Sequence, residues 1–124
     1  MIKTTVDTQH DLTAFKCSGN LKEQEFLDSI HSFYEGSPTK HTLWKFVGLS
    51  AKSISTDTLK RIFETIHSYR NSRQGGRTAI VAPLDLEYGL GRMFQIWTDN
   101  KSFPFEIEIF RTLDEAKQWL LSKE

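Results

Sequence analysis

The side chains that could act as nucleophiles or metal ligands are few in this sequence and widely separated. Cys17 is the only cysteine, and the four histidines are His10, His31, His41 and His67. None of them is paired at the spacing typical of zinc ligands, and neither a Gly-x-Ser-x-Gly elbow nor a Walker loop occurs. A lone cysteine is more often a small core residue than a nucleophile, although a Cys–His pair is an alternative. We therefore expect no catalytic constellation, no metal and no cofactor.

The segment EYGLGRMFQIW (87–97) contains the beginning of a glycine-rich phosphate-binding pattern. A dinucleotide-binding fingerprint needs Gly-x-Gly-x-x-Gly directly after a first strand, but here the third position is Phe94 and the preceding strand is the fourth. The alternative is a helix that starts at Asp85 or Leu86. Its sheet-facing stripe then consists of five apolar residues: Leu86, Leu90, Met93, Phe94 and Trp97.

In this helix, Gly89 and Gly91 flank the apolar stripe and are expected to allow a close approach of neighbouring backbone. Tyr88 and Arg92 fall on the opposite face, four residues apart, where they can stack or hydrogen-bond. This face is interpreted either as an ordinary solvated surface or as a partner-binding surface. Ile96, which lies outside the stripe, and Phe103 either form an exposed apolar strip that serves as a dimer or ligand surface or are buried against the following crossover; we favour burial.

Two further segments carry polar groups that could bind a ligand. In SAKSISTD, Ser55 is a good N-cap, and a phosphate near this helix start, on Ser53, Ser55 or Thr56, would change a binding surface. Capping alone also explains Ser55. The second segment is YRNSRQGGR, whose arginines either contact an anion or complement the C-terminal end of a helix dipole; we favour the dipole.

Strands and helices alternate along most of the chain. The apolar patterns predict strands at 2–8, 12–18, 42–48, 78–83 and 105–111. They predict helices at 21–35 with Asn20 as N-cap, from about Ser55, from Asp85 or Leu86, and after Thr112. This order predicts an α/β fold: a mixed sheet of about five strands, mostly parallel with an antiparallel first strand, flanked by about four helices. Ligands of such sheets lie beyond the carboxyl ends of the parallel strands, where Asp85 is one of the available polar groups.

Composition limits the classes of function. The 124 residues fit a single domain spanning 1–124, and 16 basic and 16 acidic residues give zero formal net charge. This balance argues against nucleic acid as a partner and against a broad attraction to anionic membranes. No apolar run approaches the roughly 20 residues of a membrane span, and no signal pattern is visible. We expect a cytoplasmic protein without stable membrane insertion.

Taken together, several segments resemble the SpoIIAA-like proteins of the STAS superfamily. They are SGNLKEQEF, TLWKFVG, AIVAPLDLEYGLGRMFQIW and FEIEIFRTLDEAKQWL. The resemblance covers most of the chain and implies a small mixed sheet flanked by helices. It also implies a non-catalytic regulator that binds a protein partner. In the anti-sigma antagonists of this superfamily a serine at the start of the second helix is phosphorylated; Ser55 or Thr56 stands at that place here, without the antagonists' Asp-Ser-x-Gly signature.

Three hypotheses follow. The first is a non-catalytic binding or regulatory module that acts through a protein partner, with Tyr88, Arg92, Ser53, Ser55 and Asp85 as the candidate binding residues. The second is a small carrier of an apolar ligand or lipid, suggested by the aromatic-rich third helix and by the fold's grouping with lipid-carrying CRAL-TRIO-like domains. The third and weakest is an enzyme that uses Cys17 or a loop hydroxyl. A homodimer is left open.

Overall fold

The predicted order of strands and helices is confirmed by the computed structural model, which describes residues 1–50, 52–101 and 103–122. Within these residues the strands are β1 (Ile2–Asp7), β2 (Leu12–Gly19), β3 (His41–Leu49), β4 (Arg77–Val81) and β5 (Glu106–Phe110). The helices are α1 (Glu23–Glu35), α2 (Thr56–His67), α3 (Asp85–Asn100) and α4 (Leu113–Leu121). None of the described helices is long and apolar enough to cross a lipid bilayer.

The sheet has the strand order β1-β2-β3-β4-β5. β1 pairs with β2 in the antiparallel sense, and β2, β3, β4 and β5 are parallel neighbours. The predicted α/β class and the antiparallel first strand are therefore confirmed. The strands β2 to β5 follow one another in a single direction across the sheet. Right-handed crossover connections between them therefore place α1, α2 and α3 on the same face of the sheet. α4 follows the last strand and packs on the opposite face.

The core is consequently divided by the sheet into two layers. On the first face, Phe26 of α1, Phe63 of α2 and Phe94 of α3 belong to one buried cluster, together with Ile80 of β4. On the second face, α4 contributes Ala116 and Leu120 to a smaller cluster with four sheet residues: Leu12, Leu43, Ala79 and Val81. β4 is thus covered on both faces, as its continuous apolar sequence predicts.

Helices α2 and α4 begin at the predicted residues, whereas α1 does not. Ser55 and Thr112 are the N-caps of α2 and α4, and each hydroxyl accepts a hydrogen bond from the backbone three residues on. The predicted cap of α1, Asn20, is wrong, because the N-cap is Lys22, two residues later, and the helix begins at Glu23. Buried Leu21 anchors the chain just before it, and the Glu25 carboxylate accepts the Lys22 N–H at 2.9 Å.

The inward face of α3 is rotated slightly relative to the prediction. Leu90, Met93, Phe94 and Trp97 of the predicted stripe pack against the core. The buried residues are Glu87, Gly91, Phe94 and Thr98, whereas Leu86 is 55% exposed. The rotation follows from the packing on β5, since a Cβ atom at Gly91 would lie 3.1 Å from two carbons of the Ile109 side chain. The neighbour of Gly91 is therefore a side chain, whereas the sequence predicts a close approach of backbone. Gly89 has no neighbour within 4 Å of a Cβ position, so the close-approach prediction is wrong for this glycine.

The expected burial of Ile96 is also wrong, since it is 56% exposed. It lies on the outward side of α3, away from the line through Gly91 and Phe94 that contacts the sheet. No described crossover covers this side.

Candidate functional site

The predicted binding residues at the start of α3 form a local contact group with the end of β5. Arg111 donates a hydrogen bond to Asp85 at 2.8 Å, and its guanidinium lies 4.1 Å from the centroid of the Tyr88 ring. The predicted contact between Tyr88 and Arg92 is wrong. Arg92 is exposed and donates to the amide oxygen of Gln95 at 2.9 Å. Asp85 and Tyr88 are therefore brought together by Arg111, while Arg92 belongs to the next turn of the helix.

Ser53 ties two loops together at the carboxyl end of the sheet. It is 4% exposed, and its hydroxyl oxygen accepts the Leu21 N–H at 2.8 Å. The same hydroxyl lies 3.4 Å from the carbonyl oxygen of Gly19, to which it donates. A phosphate on Ser53 would have to open this joint between the β2–α1 and β3–α2 connections. In the folded protein Ser53 therefore has a structural role, because its hydroxyl already makes these two hydrogen bonds.

Ser55 is exposed and begins a chain of polar contacts from α2 to α1. It accepts the Thr58 N–H at 3.1 Å, and the Thr58 hydroxyl donates to Glu23 at 2.9 Å. Arg61 also donates to both carboxylate oxygens of Glu23, at 2.6 and 2.8 Å. These donors, Arg61 first and then Thr58, hold the pKa of Glu23 below its usual value. Ser55 thus caps α2 and stands next to the α1–α2 ion pair.

The arginine-rich segment does not form an open basic patch. The Arg73 guanidinium is buried and donates to the carbonyl oxygens of Lys40 and Arg77, and to the hydroxyls of Tyr34 and Thr78. Burial lowers the pKa of Arg73 from its usual value. Four neutral acceptors surround this cation, so it acts as a connector of α1, β3 and β4.

The other two arginines also bind carbonyl oxygens at helix ends. Arg77 donates to the Trp119 and Ser122 carbonyl oxygens at the end of α4, at 2.6 and 3.1 Å. Arg70 donates to the His67 carbonyl oxygen at the end of α2. The interpretation as complements to helix C-termini matches these contacts.

A cavity of about 80 Å³ lies between the sheet and the helices α1, α2 and α3. Its lining is almost entirely apolar and comes from all three helices and four strands. The sheet contributes Phe15, Trp44, Ile80 and Ile107, and the helices contribute Phe26, Ile30, Leu59, Ile62, Leu90 and Phe94. Two charged side chains also line it: Arg73, which precedes β4, and Glu87, which follows it.

Glu87 differs from Arg73 because one of its carboxyl oxygens has no partner among the described residues. The residue is 8% exposed, and its Oε1 atom is buried with no hydrogen-bond partner among the described residues. Burial raises the pKa of Glu87, and a hydrogen bond from the backbone of Leu84 offsets only part of this effect. The sequence reasoning missed Glu87. One face of the helix carries Glu87, Gly91, Phe94 and Thr98. A charged residue and a glycine on this face do not indicate burial from the sequence alone.

The second face of the sheet carries a row of three lysines, which we call the lysine row: Lys3, Lys16 and Lys45. Strand register places Lys3 opposite Lys16, and Lys16 opposite Lys45. Lys3 and Lys16 are exposed and Lys45 is half-buried. Among the described residues no carboxylate pairs with them. The alternation of residues along each strand predicts on which face of the sheet each lysine lies. The alignment of the three lysines depends on the strand register.

Cys17 is fully buried in the core under α1. Desolvation raises the pKa of its thiol to about 12, so the thiolate that nucleophilic chemistry requires is disfavoured. In the part of the chain that the structure describes, no three His, Cys, Asp or Glu side chains gather in a metal-binding group.

Comparisons with known proteins gave no assignment. No protein-family model matches the chain, and a search of curated proteins found no match either.

Proposed function

We propose that this protein is a STAS-type binding module, without catalytic activity, which binds an acidic segment of a protein partner through the lysine row. The observation that carries the proposal is the alignment, on an open part of the sheet, of three lysines that no described carboxylate pairs with. The resemblance to SpoIIAA-like proteins supports the STAS assignment. Buried Cys17, with its raised pKa, supports a non-catalytic role.

The lysine row lies where the sheet is not covered by a helix. α4 covers β4 and packs on β5 and part of β3, and Leu120 reaches Leu12 and Leu43. β1 is an edge strand whose residues after Ile2 are all exposed. A partner can therefore approach both the free edge of β1 and the open face beside it.

Three aligned cations are unfavourable unless an anion neutralises them. Neighbouring strands are about 4.8 Å apart, and like charges directly opposite on them are destabilising. Lysine side chains can splay into water, but no described carboxylate compensates them. Lys16 is the central member and faces a like charge on each side. Carboxylates of a partner would remove this repulsion.

An acidic protein segment fits this surface better than nucleic acid or a membrane does. Three lysines in a row span only about 10 Å, whereas nucleic-acid and membrane binding usually involve wider basic surfaces. The zero formal net charge gives no long-range attraction to a polyanion. A local charge pattern on a flat sheet is instead typical of an interface that fixes the choice of partner.

The test is the binding of a fluorescein-labelled peptide of alternating glutamate and valine, followed by fluorescence anisotropy. Reversing Lys16 in Lys16→Glu should weaken binding about fivefold, since an exposed charge pair contributes a few tenths to 1 kcal/mol and reversal changes attraction into repulsion. The same variant should fold more stably, because two like-charge pairs become opposite-charge pairs. Lys60→Glu, on α2, is the matched control. An equal loss in the control would contradict the proposal.

Two additional probes separate the proposal from its competitors. Duplex DNA and vesicles containing anionic lipid should bind more weakly than the acidic peptide at the same ionic strength; tighter binding of either would overturn the choice of partner. Capture from a host extract with wild-type protein, Lys16→Glu and Arg92→Ala then distinguishes the lysine row from the outer face of α3. A partner lost only with Arg92→Ala would place the interface on α3 instead.

The carrier hypothesis receives less support. A typical ligand pocket measures about 300 Å³ or more, and the cavity under α1–α3 is about 80 Å³. A lipid tail does not fit this space without a large displacement of the helices. The lining of this cavity nevertheless includes Glu87, whose Oε1 atom has no described partner and could bind a smaller ligand.

A further inference from the structure

We propose that the cavity between the sheet and α1–α3 binds a short aliphatic amine, whose ammonium group contacts Glu87. This site lies on the face of the sheet opposite the lysine row and is independent of the protein-binding proposal. The evidence is a buried apolar space with one unpartnered carboxyl oxygen on its wall.

The polar groups of the cavity determine where a ligand's own polar group would lie. At the amino end of β4, the Thr42 and Thr78 hydroxyls are 2.8 Å apart, and Arg73 donates to Thr78. This end is already occupied by mutual hydrogen bonds. At the carboxyl end, Oε1 of Glu87 has no described partner. Among the described residues, Glu87 Oε1 is the buried side-chain polar atom without a partner, so a ligand gains a new hydrogen bond there if it supplies the donor.

The acceptor chemistry of Glu87 favours an amine. A carboxylate accepts hydrogen bonds and attracts positive charge, and a charge-assisted bond in an apolar surrounding is stronger than a neutral one. An ammonium group also compensates the burial that raises the pKa of this side chain. An alcohol donates a hydrogen bond but brings no charge, so it serves as the neutral comparison.

The size of the cavity limits the length of the amine. An apolar cavity of about 150 Å³ holds the six carbons of benzene. By proportion, the space of about 80 Å³ holds roughly three carbon atoms in addition to a nitrogen placed at Glu87. Propylamine therefore matches the resting cavity, and benzylamine exceeds it.

Gly91 contributes to the site by allowing α3 to pack closely on Ile109 of β5, which fixes the position of Glu87 at the cavity. It lines the cavity one helical turn after Glu87, and it has no side chain to project from α3. Phe94, one turn further, and Ile80 on the sheet close the remaining space. The cavity thus places an acceptor next to an apolar space, which is the arrangement that an alkylamine requires.

The experiment titrates ¹⁵N-labelled protein with propylamine, 1-propanol and propionate, and follows amide chemical shifts. We expect saturable shifts of Gly91 and Ile80 with propylamine, weaker ones with 1-propanol and none with propionate. Glu87→Gln keeps the shape of the side chain and removes its charge. It should weaken propylamine binding about tenfold or more and leave 1-propanol nearly unchanged. Glu106→Gln, an exposed glutamate on β5, is the matched control.

Three outcomes overturn the proposal. The first is the absence of saturable shifts at the cavity residues with propylamine. The second is equal binding of propylamine by wild type and Glu87→Gln. The third is an equal loss in Glu106→Gln, which would indicate attraction to surface carboxylates. Because Glu87→Gln removes a buried charge, it should fold, and its amide spectrum without ligand verifies this directly.

Discussion

The two glycines of α3 should respond in opposite ways to the same substitution, although only one residue separates them. Gly89 is exposed, and a Cβ atom there would have no neighbour within 4 Å. A Cβ atom at Gly91 would lie 3.1 Å from both Cδ1 and Cγ2 of Ile109. Replacement by alanine therefore adds the same methyl group to open space in one variant and to a packed contact in the other.

The magnitudes follow from helix propensity and packing. Alanine is favoured over glycine in a helix interior by about 0.8–1 kcal/mol. Gly89→Ala should realise most of this gain, so its free energy of unfolding should rise by about 0.5–1 kcal/mol. At Gly91 the same gain is opposed by overpacking, which typically costs about 1–3 kcal/mol. Gly91→Ala should thus be neutral or less stable than wild type by up to about 2 kcal/mol.

Urea unfolding followed by circular dichroism measures both variants directly. With an unfolding entropy of about 2 cal/mol/K per residue, a chain of 124 residues gains about 4 °C in Tm for each kcal/mol. Gly89→Ala should therefore melt about 2–4 °C higher. If Gly91→Ala gained as much stability as Gly89→Ala, α3 would not be seated on Ile109, and the packing argument would be refuted. The companion substitution Ile109→Val removes Cδ1, one of the two carbons at 3.1 Å, and should recover part of the loss in Gly91→Ala.

Three further predictions concern buried or capping groups. Burial raises the pKa of Glu87 above its usual 4.5, so the folded protein binds this proton more tightly than the unfolded chain and loses stability as the pH rises through the two pKa values. Glu87→Gln should consequently gain stability relative to wild type between pH 4 and 8 in urea unfolding, whereas a gain that is constant with pH would contradict the burial of the charge. Ser55→Ala should lower the free energy of unfolding by about 1 kcal/mol through loss of the α2 cap, and an unchanged midpoint would show that the cap is dispensable. Cys17, with a thiol pKa of about 12, should resist iodoacetamide in native protein at pH 8 and react after denaturation; rapid native labelling would refute its burial.

The order of elements was predictable because local chemistry determines it. Each of the signals that predict these elements lies within a few neighbouring residues. They are the alternation in β5, the continuous apolar run in β4 and the hydroxyl caps of α2 and α4. The start of α1 was not predictable in the same way. Asn20 and Glu23 form an acceptable capping pair, and only the burial of Leu21 in the tertiary structure moves the N-cap to Lys22.

The face that α3 presents to the sheet could be read from hydrophobicity only in part. Leu90, Met93, Phe94 and Trp97 pack against the core as their apolar character predicts. The helix is nevertheless rotated so that Glu87 is buried in place of Leu86, because Gly91 allows α3 to approach Ile109 and this contact turns Glu87 inward. A pattern based on apolar residues necessarily misses a glycine that acts through the absence of a side chain. The candidate cavity site was missed for the same reason.

The surface residues show the complementary difficulty. Tyr88 and Arg92 have the spacing of a helical pair, yet Arg111 comes from β5 and takes the position over the Tyr88 ring. Lys3, Lys16 and Lys45 lie far apart in the sequence and meet only through strand register. Both arrangements depend on contacts between elements, which single-element periodicity does not contain.

Buried charge alone does not identify a binding site in this protein, and the comparison of Arg73 with Glu87 shows why. Arg73 is buried, but its donors are directed at four acceptors from three parts of the chain, so its charge serves the fold. Glu87 is buried as well and leaves one oxygen without a described partner. An unsatisfied polar group weakens the folded state unless something outside the chain completes it, and selection for stability alone would favour an apolar residue there. The same reasoning applies to Lys16, whose neighbours on both sides repel it. Among the described residues, Glu87 and the lysine row both lower the stability of the folded state, and both are therefore places where we expect the protein to bind.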